Sequence, residues 1–210
     1  MIGVIATLAV GALVFLVVDS MINLDNKWGE QALPEAAQVE LSETDNKMVE
    51  RSGEVIREVL GENAVETLRN ASNKERINLI DTFATQLAEA YGLDIEIDVT
   101  VDDMSHCGHY NWSTKKAYFN VAWLMVDSNS PNFAASVREV IDTVVHELRH
   151  AVQSKAIEDP GFWDIDENRR NAWQSNMSNY ISPSVDIRAY ASQPMEADAT
   201  SFAAAVMRGV

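Results

Sequence analysis

The sequence predicts an α+β fold: a small antiparallel sheet packed on one long amphipathic helix, with additional helices before and after. Three observations carry this. Apolar residues recur at three- and four-residue steps up to Gly92. The pattern then switches to strict alternation in D-I-E-I-D-V-T-V, residues 94–101. Helical spacing returns from about residue 134. Helical and strand periods segregated along the chain point to α+β rather than to alternating βαβ units.

Bulk properties set the frame. A chain of 210 residues, 47% apolar, is long enough for one domain with a sizeable core. Its formal net charge is -16, from 32 acidic and 16 basic residues. Such a chain lacks the cations that neutralise phosphates, so nucleic acid and anionic membrane surfaces are not expected partners. Cys107 is the single cysteine, which excludes an intramolecular disulfide and any multi-cysteine zinc knuckle.

Residues 1–20 read as a hydrophobic membrane-anchor or signal segment, the alternative being a helix buried in the core. The run 2–18 carries no charge, and at about 1.5 Å per residue it nearly spans a hydrocarbon core of about 30 Å. No basic residue precedes the run and no small-x-small cleavage site follows it. The expected localisation is therefore anchoring by a single N-terminal segment, or export, with membrane association through residues 2–18. Residues 21–44 read as an acidic linker containing Pro34, and residues 45–210 as the folded domain.

Within that domain, residues 45–70 read as one helix, with Val49, Val55, Ile56, Val59 and Leu60 at helical steps. Ser72 and Glu75 form a capping box that opens a second helix, with Ile77, Ile80, Phe83, Leu87 and Tyr91 as its apolar stripe and Gly92 as its end. Residues 94–101 are a half-buried strand, and 109–121 are two strands around a polar turn at Ser113–Lys116. A helix over about 134–156 carries the stripe Val137, Val140, Ile141, Val144, Val145, Leu148 and Val152. Helical stretches follow at 165–179 and 194–208, the last with Pro194 in its first turn.

The chemistry concentrates in V-V-H-E-L-R-H-A-V-Q, residues 144–153, which holds two of the four histidines. Residues four apart on a helix lie one above the other, so His146 and His150 can share one metal ion. Glu147 stands beside them, within reach of a bound water without being a ligand. A third ligand is needed, and no histidine follows His150. Gln153 and Ala156 occupy the positions where a metzincin would place its glycine and last histidine, so that class is excluded. The third ligand is then a carboxylate or comes from the His106–Cys107–His109 cluster. Glu196 is the best placed carboxylate, with Asp198 and Asp186 as alternatives. It lies in Q-P-M-E-A-D-A-T-S-F-A, residues 193–203, where small side chains permit close packing on the histidine helix.

The pair H-E-L-R-H and E-A-D-A resembles the small gluzincin zinc metallopeptidases, over roughly residues 94–208. The resemblance implies a zincin-like fold and one zinc ion per chain, held by His146, His150 and Glu196. It implies peptide-bond hydrolysis by a zinc-bound water that Glu147 activates as general base, with a peptide or protein as substrate. One position departs from the pattern: Thr200 stands where related enzymes often carry Asp or Asn to support a ligand histidine, leaving Asp198 or another acid to do so. The oxyanion donor is to be sought among Tyr190, Tyr180, Arg188 and His109, with Tyr190 favoured for its nearness to Glu196. His109 can instead face substrate from the cluster loop, and Cys107 could occupy the zinc as an inhibitory ligand. Thr200 and the absence of a later histidine leave one alternative, a zincin-fold binding or structural module without turnover.

Overall fold

The computed structural model describes residues 39–102, 107–182 and 184–210. The expected anchor or signal segment, the linker up to residue 38, and His106 lie outside the described residues.

Helix α1, Glu43–Leu60, starts two residues before the expected domain boundary. Its start is set by a capping box: Ser42 Oγ accepts from Asp45 N–H, and Asp45 Oδ2 accepts from Ser42 N–H at 2.8 Å. The single helix expected over 45–70 is in fact two. Gly61, at φ +78, takes a left-handed conformation that ends α1. Asn63 then caps a short α2, Ala64–Asn70, by accepting from Glu66 N–H. Helix α3, Asn73–Ala90, opens on the expected Ser72–Glu75 capping box, and the chain leaves it at Gly92, φ +72.

Three strands follow: β1 (Glu96–Thr100), β2 (Gly108–Asn111) and β3 (Lys116–Asn120). Their spatial order is β1-β3-β2, with β1 parallel and β2 antiparallel to β3. The expected antiparallel sheet is therefore mixed. The β2–β3 hairpin closes around the expected polar turn, but β1 pairs with β3 rather than with β2, the next strand in sequence. β3 therefore lies in the middle, and β2 forms an edge.

The central element is α4, Phe133–Glu158. Every residue of its expected stripe is buried, and Arg149, Gln153 and Ser154 are buried as well. The helix is covered nearly all round, by β2 and β3 on one side and by the final helix on another. Helices α5 (Glu167–Ser178), α6 (Ile187–Ala191) and α7 (Pro194–Met207) complete the fold. No helix among the described residues is long and apolar enough to cross a membrane.

Strand β2 sits close on α4. A methyl group at Gly108 would lie 2.8 Å from Thr143 Cγ2 and 2.8 Å from the Tyr118 carbonyl oxygen. Thr143 is one turn before the histidine pair, so this contact sets the depth at which the sheet edge meets the site. Gly108→Ala should destabilise the fold by about 1–3 kcal/mol, as overpacking does. A urea-unfolding midpoint equal to that of the wild type would show that the strand is not seated this tightly.

Candidate metal centre

His146 and His150 lie one turn apart on α4. Glu196 lies in the first turn of α7, which Pro194 starts. Ala199 and Ala203, both fully or almost fully buried, let α7 pack against α4 over the most extensive helix–helix contact among the described residues. That packing carries Glu196 to the histidines. Its Oε2 is 3.4 Å from His146 Nε2, its Oε1 is 3.4 Å from His150 Nε2, and the two Nε2 atoms are 3.1 Å apart.

These separations have a meaning. Zinc bonds to nitrogen and oxygen are about 2.0–2.2 Å, so the edges of a tetrahedral zinc site are about 3.3 Å long. The two Nε2 atoms stand close to that distance from each other, and each stands close to it from one oxygen of the Glu196 carboxylate. Among the described residues this is the one group of histidine, cysteine and acidic side chains with three ligand atoms within 4.8 Å of one another. His146 is 18% exposed, against 7% for His150 and 3% for Glu196, so the cluster meets solvent on the His146 side.

The electrostatics suit a cation. Burial alone would raise the Glu196 carboxyl, but the charges of His150 and His146 hold it well below the usual carboxylate range. Burial would likewise lower His150, yet the Glu196 carboxylate beside it carries it up to about 9. His146 is raised too, through its hydrogen bond to Glu196 against the effect of burial. An ionised, nearly buried carboxylate set against two imidazoles makes a place that favours positive charge, which a bound cation would supply.

Glu147 stays out of the donor group. Its Oε2 accepts from Tyr110 N–H at 2.8 Å, which joins α4 to the edge strand β2. Tyr180 Oη donates to Glu196 Oε1 at 2.7 Å. The ring of Tyr190 meets that of Tyr180 edge-on at 6.1 Å, and Trp112 also meets Tyr180 edge-on, at 5.3 Å. Burial, then the Glu196 charge, raise both tyrosine hydroxyls, which remain protonated donors. The sequence favoured Tyr190. The structure brings both tyrosines to Glu196 and gives Tyr180 the direct short hydrogen bond.

The other candidates lie elsewhere. Asp186 caps α6 by accepting from Arg188 and Ala189 N–H groups, and Arg188 is exposed. His109 is exposed and stacks on Tyr118 at 4.6 Å. Cys107 is buried, and burial together with the Glu139 charge pushes its thiol up to about 12. It is not part of the group of ligand atoms formed by His146, His150 and Glu196.

Asp198 is not a ligand but part of a buried charge cluster that sequence reasoning missed. Arg149 Nε donates to Asp198 Oδ2 at 2.8 Å, and Arg149 Nη2 donates to Asp45 Oδ1 at 2.6 Å. Arg169 bridges the same two carboxylates, donating to Asp45 Oδ2 at 2.5 Å and to Asp198 Oδ1. Gln153 connects this cluster to the histidines. Its Oε1 is 2.8 Å from His150 Nδ1, and its Nε2 donates to Asp198 Oδ2 at 2.8 Å. His150 Nδ1 thus has its partner in Gln153, which Asp198 holds in turn. Polar residues set within the apolar stripe of α4 were the available sign. No protein-family model, curated protein or solved structure matches the chain, and the functional reading rests on this geometry.

Proposed function

We propose that this chain is a zinc-dependent peptidase with a zincin-like domain, in which His146, His150 and Glu196 hold one zinc ion per chain. The observation that carries the proposal is the convergence of one ligand atom from each of these three side chains within 4.8 Å, with the Glu147 carboxylate adjacent but outside the set. Three protein ligands leave a fourth position open, as catalytic rather than structural zinc sites do. When bound, zinc would lower the pKa of water and polarise the scissile carbonyl.

The chain's own residues supply the rest. Glu147, anchored by Tyr110 N–H, takes the proton from the attacking water and passes it to the leaving amine. Tyr180 and Tyr190 are the protonated hydroxyls nearest the donors, placed to hydrogen-bond the oxygen on which negative charge develops. Gln153 holds His150 in orientation. The uncharged run 2–18 supports action at a membrane or outside the cell, on a peptide or protein substrate.

The test is the zinc content of the full chain, measured by elemental analysis, together with cleavage of a degenerate peptide library. The expected result is one zinc per chain in the wild type, loss of that zinc in Glu196→Ala, and library cleavage that a chelator abolishes. Zinc retained in Glu196→Ala would overturn the ligand set. Zinc bound at full stoichiometry without any cleavage would favour the binding-module alternative.

A further inference from the structure

We propose that Gln153 is a positioning residue for the metal: it fixes the tautomer of His150 and aims that ring's Nε2 at the site. The inference rests on the zinc reading above and adds to it a residue outside the H-E-x-x-H and E-x-x-A motifs.

The argument is one of donors and acceptors. The Gln153 side-chain amide has one face towards His150 and another towards two oxygens. Its Nε2 lies 2.9 Å from the Met195 carbonyl oxygen and 2.8 Å from Asp198 Oδ2. A carbonyl oxygen only accepts, and so does an ionised carboxylate. Both Asp198 oxygens act as acceptors here, since the guanidinium groups of Arg149 and Arg169 donate to them. The amide nitrogen must therefore face those oxygens, because a flipped amide would set three acceptors against one another in a buried place. Oε1 is then left facing His150 Nδ1 at 2.8 Å. An amide oxygen cannot donate, so Nδ1 must carry the hydrogen. The free lone pair of the neutral ring is consequently on Nε2, the nitrogen that faces His146 Nε2 at 3.1 Å and Glu196 Oε1 at 3.4 Å.

The polarity of the whole chain of bonds is set at its far end. Two arginines donate to Asp198, the Asp198 and Met195 oxygens fix the amide, and the amide fixes the imidazole. Gln153 and Asp198 are both fully or almost fully buried, so no exchange with solvent competes with this order. Gln153 reaches back to His150 from three residues ahead on α4, and forward to Met195 and Asp198 on α7. It therefore also fixes the relative placement of the two helices that bring the ligands together.

Two variants with opposite expected outcomes test the proposal, read by competition for zinc against a fluorescent chelator and by urea unfolding of the metal-free chain. Gln153→Met keeps the length and removes the acceptor. Its zinc dissociation constant should rise about 10- to 100-fold, as loss of such a partner does elsewhere. Gln153→Glu keeps an acceptor for His150 Nδ1–H but sets a second carboxylate against Asp198. It should hold zinc as well as the wild type or better, while its unfolding midpoint falls. A residue with only a structural role would move the two readouts together in both variants. Equal zinc affinity in the wild type and Gln153→Met would overturn the proposal, as would equal losses of affinity in both variants. Those results would leave the zinc reading intact, which fails separately if Glu196→Ala binds zinc as the wild type does.

Discussion

Glu147→Gln should reduce peptide hydrolysis by about 10²- to 10⁴-fold, the usual contribution of a positioned general base, while the chain still takes up one zinc ion. The substitution is chosen because it separates chemistry from structure. Glutamine has the same length and still offers an amide oxygen to Tyr110 N–H, so the junction between α4 and β2 at 2.8 Å is retained. What is lost is the ability to accept a proton and release it again. Zinc content by elemental analysis and initial rates on a substrate selected from a peptide library give the two readings. Full activity in the variant would remove Glu147 from the mechanism. Loss of the metal would instead make Glu147 a ligand, against the geometry that places its carboxylate on the sheet edge.

Local patterns were legible, and tertiary choices were less so. The Ser72–Glu75 capping box and the stripe of α4 follow from spacing alone, and the structure forms both. The break between α1 and α2 was also written locally, in Gly61 and in Asn63 followed by Glu66, but continuous apolar spacing masked it. Alternation identified the strands without identifying their neighbours. β1 pairs in parallel with β3 and not with β2, and side-chain period carries no information on which strand is the neighbour.

The site divides in the same way. His146 and His150 are a spacing, and spacing is local. Glu196 was reached through the small residues that surround it, a packing argument that the alanines of α7 support. The charge cluster was not reached at all. A charged residue on a helix normally marks a solvated face, and Arg149 reads as an unremarkable position inside H-E-L-R-H. Its partners Asp45 and Asp198 come from opposite ends of the described chain and meet only in the folded molecule. Helix α1, which lay outside the family resemblance, thereby becomes part of the support of the candidate site through Asp45.

That dependence gives the largest expected effect on stability. Arg149→Met should destabilise the chain by about 3–5 kcal/mol, the cost of removing one partner from a buried ion cluster. Since single domains are stable by about 5–15 kcal/mol in all, the variant should fold barely or not at all. Arg149 is fully buried, its guanidinium lying 4.6 Å from the ring centre of Phe202 and 5.5 Å from that of Trp173. Although burial would raise the Asp45 carboxyl, Arg149 and Arg169 together hold it down to about 2. Without Arg149, Arg169 alone faces two buried carboxylates, and one of them must take up a proton or let in water. Arg149→Lys should be intermediate: it restores a charge, but an ammonium group cannot reproduce the fork that spans Asp45 and Asp198. The informative comparison is Arg149→Met with Asp45→Leu. Replacing both members of a buried pair by apolar groups is often far less costly than removing one, so the double variant should unfold at a higher urea concentration than Arg149→Met alone. A single variant with the wild-type midpoint would show that Asp45 and Asp198 do not depend on Arg149. A double variant less stable than the single one would show that Asp45 acts through its capping bonds to Ser42 rather than through the cluster.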